Sequence, residues 1–215
     1  MKKRLLVAIL ACTMVFALSA CGSSNSSDEA DSSKAEITTD KDKGTVTFKA
    51  TVNESGLKKD STMHYIVQKG GKAADAAIFN TDASPEDIHK ALEEVGGKPW
   101  NTSDKKIDDG EFTDGQKVKV TLTWDGQKDP IDFTKTVKSD NGNLKGDIRF
   151  SGNLDNNKDC GSGCVMCLNS CWAGILSNAA YGFNAIDGGD VLAKPDTDVL
   201  PEAGTEVQVT FQLEK

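Results

Sequence analysis

Apolar and polar residues alternate at both ends of the folded part of this chain, through Val46, Phe48, Ala50 and Val52 near one end and Val207, Val209, Phe211 and Leu213 near the other. Alternation with a period of two puts one set of side chains on one face, so each segment reads as a half-buried β-strand. The two strands can pair in a sheet that joins the ends of the domain. Val118, Val120, Leu122 and Trp124 follow the same rule, Asp125-Gly126 marks a turn, and Ile131 with Phe133 resumes the alternation. Shorter apolar runs at 65–67 and 76–79, and Ile148 with Phe150, are further strand candidates. The expected class is mainly β or α+β, with antiparallel strands in a sandwich-like or open sheet. One helix is expected at about 84–95: Ser84 caps it, Pro85 occupies its first position, Ile88, Ala91, Leu92 and Val95 make one stripe, and Gly96-Gly97 stops it.

The first residues read as an export signal. Lys2, Lys3 and Arg4 precede an apolar run at 5–18, too short for a convincing membrane span, and then Leu18-Ser19-Ala20-Cys21. That last stretch resembles the lipobox of bacterial lipoproteins, whose cysteine is diacylated before the signal is cut ahead of it, and Cys21 matches that cysteine. Losing residues 1–20 removes three positive charges and moves the formal balance from −8 to −11. Such an acidic chain disfavours nucleic acid and anionic bilayer surfaces, so attachment to a bacterial cell membrane is expected through the lipid. Residues 21–43, polar almost throughout, read as the lipidated cysteine and a tether with a reach of about 25 Å. Residues 44–215 then form the β-rich domain, on the extracytoplasmic side.

Four of the six cysteines, Cys160, Cys164, Cys167 and Cys171, fall within twelve residues. Thiolates three or four residues apart can converge on one soft metal or iron-sulfur centre, or form disulfides. Bacterial ferredoxin runs leave two, two and three residues between their cysteines, whereas here the gaps are three, two and three. Gly161 and Gly163 can absorb the extra residue. One 4Fe–4S cluster held by three or four of these thiolates is chemically reasonable; a second cluster is not, because no second cysteine run exists. Outside the cell the same thiols can form two disulfides in three pairings. Zinc is a further option, with Cys164-Val-Met-Cys167 as a chelating hook, although the other pair sits close for a zinc ribbon. The same Cys-x-x-Cys could exchange disulfides, but no helix start is visible there to lower a thiol pKa.

The stretch His64-Tyr-Ile-Val-Gln-Lys-Gly-Gly-Lys-Ala-Ala-Asp-Ala-Ala-Ile-Phe79, the helix Ser84-Pro-Glu-Asp-Ile-His-Lys-Ala-Leu-Glu-Glu-Val-Gly-Gly-Lys-Pro99, and the cysteine loop continuing through Trp172 to Asn178 resemble the YdjY-like family of bacterial proteins. The resemblance covers roughly residues 63–180 and reaches more weakly to the last strand. That family is described as ferredoxin-type, so the resemblance implies an iron-sulfur role for Cys160, Cys164, Cys167 and Cys171.

His64 and His89 are the only histidines. His64 lies in an expected strand and is either an ordinary strand residue or a group beside the metal; His89 falls off the apolar stripe of its helix, at a solvated boundary. Trp172, directly after the last cysteine, is a candidate for shielding the centre, with Ile175. Asp155-Asn-Asn-Lys-Asp159 begins like a calcium loop, but Cys160 and Met166 stand where glycine and glutamate belong, so it reads as a solvated turn. Gly70-Gly71 and Gly188-Gly189 read as turns. No Ser-His-Asp or paired-carboxylate arrangement can be assembled. The expected function is a non-enzymatic, membrane-anchored electron carrier that hands electrons to a redox protein partner. The alternative is an extracytoplasmic binding module stapled by disulfides or zinc.

Overall fold

The structure is a computed structural model that describes residues 35–101, 107–140 and 142–215. The signal at 1–20, Cys21 and the first part of the tether lie outside the described residues.

The two alternating end segments do pair. β2 (Thr45–Val52) and β13 (Glu206–Leu213) run antiparallel with Phe48 opposite Val209 and Val46 opposite Phe211. The rings of Phe48 and Phe211 meet edge to face at 5.1 Å. β13 also pairs with β5 (Val118–Thr123), which turns at Gly126 into β6 (Ile131–Asp132). On the other side of β2 the sheet continues through β4 (Phe79–Thr81), β3 (His64–Gln68), β10 (Cys164–Cys167), β11 (Leu176–Asn178) and β9 (Ile148–Phe150). The β3–β4 and β10–β11 pairs are parallel and the others antiparallel, so the sheet is mixed within the mainly β, α+β class that the sequence predicts.

This sheet curls back on itself. The amide of Phe150 in β9 donates to the Gln116 carbonyl (2.8 Å), and Lys117 bridges Arg149, which brings the far strand onto residues that lead directly into β5. A small second sheet holds β7 (Val137–Ser139), β8 (Gly142–Asn143) and β12 (Lys194–Pro195).

Three helices occur among the described residues: α1 (Glu54–Leu57), α2 (Pro85–Glu94) and α3 (Leu154–Cys160). α2 matches its signals. Ser84 Oγ accepts the Asp87 amide at 3.0 Å, Ile88, Ala91 and Leu92 are buried, and Gly96 ends the helix with φ +95. It packs on β2, β10 and the segment Ile37–Asp40.

Two boundaries differ from expectation. The tether was expected to run to residue 43, but β1 (Ile37–Asp40) pairs antiparallel with β2, with Ile37 opposite Phe48. A polar segment can serve as an edge strand because backbone bonds carry the pairing and only half its side chains face protein. The solvated turn expected at 155–159 is instead helix α3, closed by Gly161 in the left-handed conformation. Its buried face carries Asn156 and Asn157 in place of an apolar stripe, which is why no helical periodicity showed.

Candidate metal centre

β10 carries the hook Cys164-Val-Met-Cys167. On a regular strand, residues three apart point to opposite faces. β10 is not regular: Cys164 pairs with Val67, Met166 with Ile66 and Cys167 with His64, so its register against β3 shifts twice within four residues. These irregularities let both sulfurs reach the same side as His64. His64 Nδ1 and the sulfurs of Cys164 and Cys167 all lie within 4.8 Å of one another, and Nδ1 is 3.4 Å from Cys164 Sγ. In a tetrahedral centre with metal–sulfur bonds near 2.3 Å and metal–nitrogen bonds near 2.0 Å, neighbouring ligand atoms stand about 3.6 Å apart. The 3.4 Å between His64 Nδ1 and Cys164 Sγ fits that frame.

Cys171 lies beside this group of three: its thiol acts electrostatically on that of Cys167, and its sulfur accepts the Ala173 amide at 3.4 Å. Cys164, Cys167 and Cys171 are buried, at 1%, 0% and 4% exposure, whereas His64 is half-buried at the edge. Cys160 stands apart from the convergent group. It is the last residue of α3, half-buried, with its sulfur 3.6 Å from the Asn157 carbonyl and its own carbonyl bonded by Lys72. All four cysteines are free thiols.

Electrostatics separate the two members of the hook. The hydrogen bond from Cys167 holds the Cys164 thiol down, to about 5, with His64 assisting against the effect of burial. The same contacts, with Cys171 and burial, push Cys167 well above the usual thiol range. Burial pulls His64 down, yet the hydrogen bond and charge of Cys164 outweigh it, and the net shift is upward. The pocket thus favours an anionic sulfur beside a cationic imidazole, the charge pattern that a metal ion would replace.

A buried polar frame positions the loop. Asn157 Nδ2 donates to the carbonyls of Cys164 (2.8 Å) and Ala173 (2.6 Å). Asn153 Nδ2 donates to those of Cys171 (2.7 Å) and Gly174 (3.1 Å). Ser151 Oγ lies 2.9 Å from Ser177 Oγ and 3.1 Å from the Gly174 and Ile175 carbonyls. Gly174 passes so close to the centre that a Cβ there would sit 3.1 Å from Cys167 Sγ. Trp172 packs half-buried against the core, and Ile175 is fully buried. Sequence reasoning missed Asn153, Asn157, Ser151 and Ser177; the one available signal was the density of asparagine at 153–178. His89 is half-buried, at the boundary where it was expected, and its ring meets Phe150 edge to face at 5.0 Å.

The family model of the YdjY domain matches residues 37–212, from β1 through almost all of β13. The chain belongs to the YdjY domain family. It is 33% identical over 183 residues to the "Uncharacterized protein YdjY" of Escherichia coli (strain K12), covering 85% of this chain and 80% of that protein. No solved structure matches significantly. The family match includes β1 and so supports the domain boundary seen in the fold.

Proposed function

We propose that this YdjY-family chain is an extracytoplasmic electron-transfer protein, held to the membrane by a lipid on Cys21, whose metal centre is bound by Cys164, Cys167 and Cys171 with His64 as the fourth ligand. The observation that carries the reading is the convergence of His64 Nδ1 and the Cys164 and Cys167 sulfurs within 4.8 Å. Three soft sulfur donors and one imidazole suit iron, iron-sulfur centres, copper and zinc far better than magnesium or calcium. Iron bound there would supply a one-electron couple that needs no substrate to enter, and the burial of the thiols suits that role. His64, half-buried, gives the centre an edge toward solvent and toward a redox partner. A 4Fe–4S cluster would need the sulfurs to spread further apart and would recruit Cys160.

A second reading draws on the same spacing. A closed site of cysteines and a histidine is also what structural zinc requires, and zinc would make the loop a staple for a binding module. Anaerobic purification, with iron, sulfide and zinc counted per chain and paramagnetic resonance recorded, separates these outcomes. Iron without sulfide marks a mononuclear carrier and iron with sulfide a cluster. Zinc alone overturns electron transfer.

A further inference from the structure

Among the described residues, one buried side chain leaves both ends of its polar group without a partner. Asn169 is 0% exposed, and neither its Nδ2 nor its Oδ1 makes a hydrogen bond. An amide buried in that state costs on the order of 1–3 kcal/mol. Its chain neighbours and the asparagines that hold the loop have partners: the Ser170 hydroxyl accepts the Thr113 amide at 3.0 Å, the Leu168 amide reaches the Met63 carbonyl at 2.7 Å, and Asn153 and Asn157 bind loop carbonyls. Asn80 leaves only its oxygen unpaired and is itself partly exposed.

Position gives the orphaned amide its meaning. Asn169 is the middle residue of the loop that Cys167 and Cys171 close, two residues from each. A neutral thiol accepts hydrogen bonds weakly, whereas a metal-bound thiolate carries charge that a buried site must compensate with N–H donors. Cys171 already has such a donor in the Ala173 amide. The groups that act on the Cys167 thiol are the thiols of Cys164 and Cys171, which can donate no proton once a metal displaces theirs.

We infer that Asn169 is a positioning residue for the loaded centre, its side-chain amide turning to donate N–H to the metal-bound sulfur of Cys167. The inference rests on the metal-centre reading above. It makes the unpaired amide a cost of the metal-free state that loading removes. Hydrogen bonds to ligating sulfur lower the electron density on the metal and raise its reduction potential.

Cobalt(II) added to the full-length, metal-free chain tests this, because its sulfur-to-metal charge-transfer band reports both binding and the electron richness of the thiolates. Three variants are compared with wild type: Asn169→Leu and Asn169→Ala, which remove the amide, and Asn169→Asp, which keeps the size and removes the donor. For Asn169→Leu the expected result is opposite signs: the unfolding midpoint of the metal-free chain rises by about 3 °C while cobalt affinity falls about tenfold and the band shifts. Asn169→Ala keeps the affinity loss if the larger leucine does not fit, and Asn169→Asp binds more weakly than wild type with a shifted band. Variants that bind cobalt with wild-type affinity and an unshifted band overturn the inference alone. A wild-type chain that takes up no cobalt overturns the metal-centre reading along with it.

Discussion

Gly71 and Gly163 meet backbone to backbone: a Cβ on either would lie 2.9 Å from the other's Cα, and one on Gly71 would also come within 2.6 Å of the Ser162 carbonyl oxygen. The contact lets the turn after β3 grip the loop that leads into Cys164. Gln68 donates to the Gly163 carbonyl at 2.8 Å, and Lys72 donates to that of Gly161 at 3.0 Å. Gly71→Ala is expected to destabilise by about 1–3 kcal/mol and to weaken metal binding by displacing this loop. Gly70→Ala is the control. Gly70 has φ +81 and open space around it, so the substitution costs about 1 kcal/mol of backbone strain and leaves metal uptake intact. Urea unfolding and metal titration on the two variants check the difference.

Replacing any one of Cys164, Cys167 or Cys171 by serine is expected to abolish stable metal binding, since a hydroxyl is a poor donor to a soft ion. Cys160→Ser is expected to leave the metal content near wild type, because its sulfur lies outside the convergent group. Metal counted per chain after anaerobic purification is the measurement. A four-iron cluster using Cys160 would show itself by loss in all four variants.

The metal-free protein should lose stability in acid. Cys164 titrates near 5 in the folded state against an ordinary value of 9.0, so between those values the unfolded chain binds the extra proton. Its contribution therefore grows from about pH 5 toward pH 9 and is lost as pH falls through 5. His64 runs the other way: its pKa is raised, so its contribution is present below 6.5 and lost as pH rises through the folded value. Cys167, raised above 9.0, adds a further loss in strong alkali. Urea midpoints across pH 4–9 should show the acid loss, and His64→Gln should shrink it and move the thiolate absorbance step to higher pH.

Asn157→Ala removes the amide that holds the Ala173 carbonyl and leaves the Cys164 carbonyl with only the longer bond from the Ile175 amide, at 3.4 Å. A loss of about 2–4 kcal/mol is expected. Hydrogen exchange should show the loss concentrated in the loop from Cys164 to Ala173, while the β2–β13 pair stays protected.

Cys21→Ala should release the protein from the membrane without changing the unfolding midpoint of the domain, which begins with β1. Detergent partitioning checks it; a variant that still partitions like an acylated protein removes the lipid anchor from the reading.

The parts of the fold legible in the sequence are those written as periodicity or capping. β2, β5 and β13 alternate with a period of two, and α2 carries its serine cap, proline and glycine stop. The parts that were not legible depend on partners distant in sequence. α3 buries asparagines because the loop it faces exposes carbonyls, a demand invisible until that loop is placed. β1 has a strand's role without a strand's composition. At the site, the cysteine spacing pointed to Cys164, Cys167 and Cys171, while His64 joins them only through the irregular register of β10 against β3. The extra residue in the first gap already set Cys160 apart from the others, and the helix that ends on it gives that separation a physical form.

The pairing of β13 between β2 and β5 also orders events in time. Of the strands, β13 is made last, and it fills a gap in the middle of the sheet, so β2 must wait for a neighbour about 160 residues downstream. Until that strand arrives, β2 and β5 lack the neighbour they share. The strand made last is thus the one that turns two separate arms of the sheet into one.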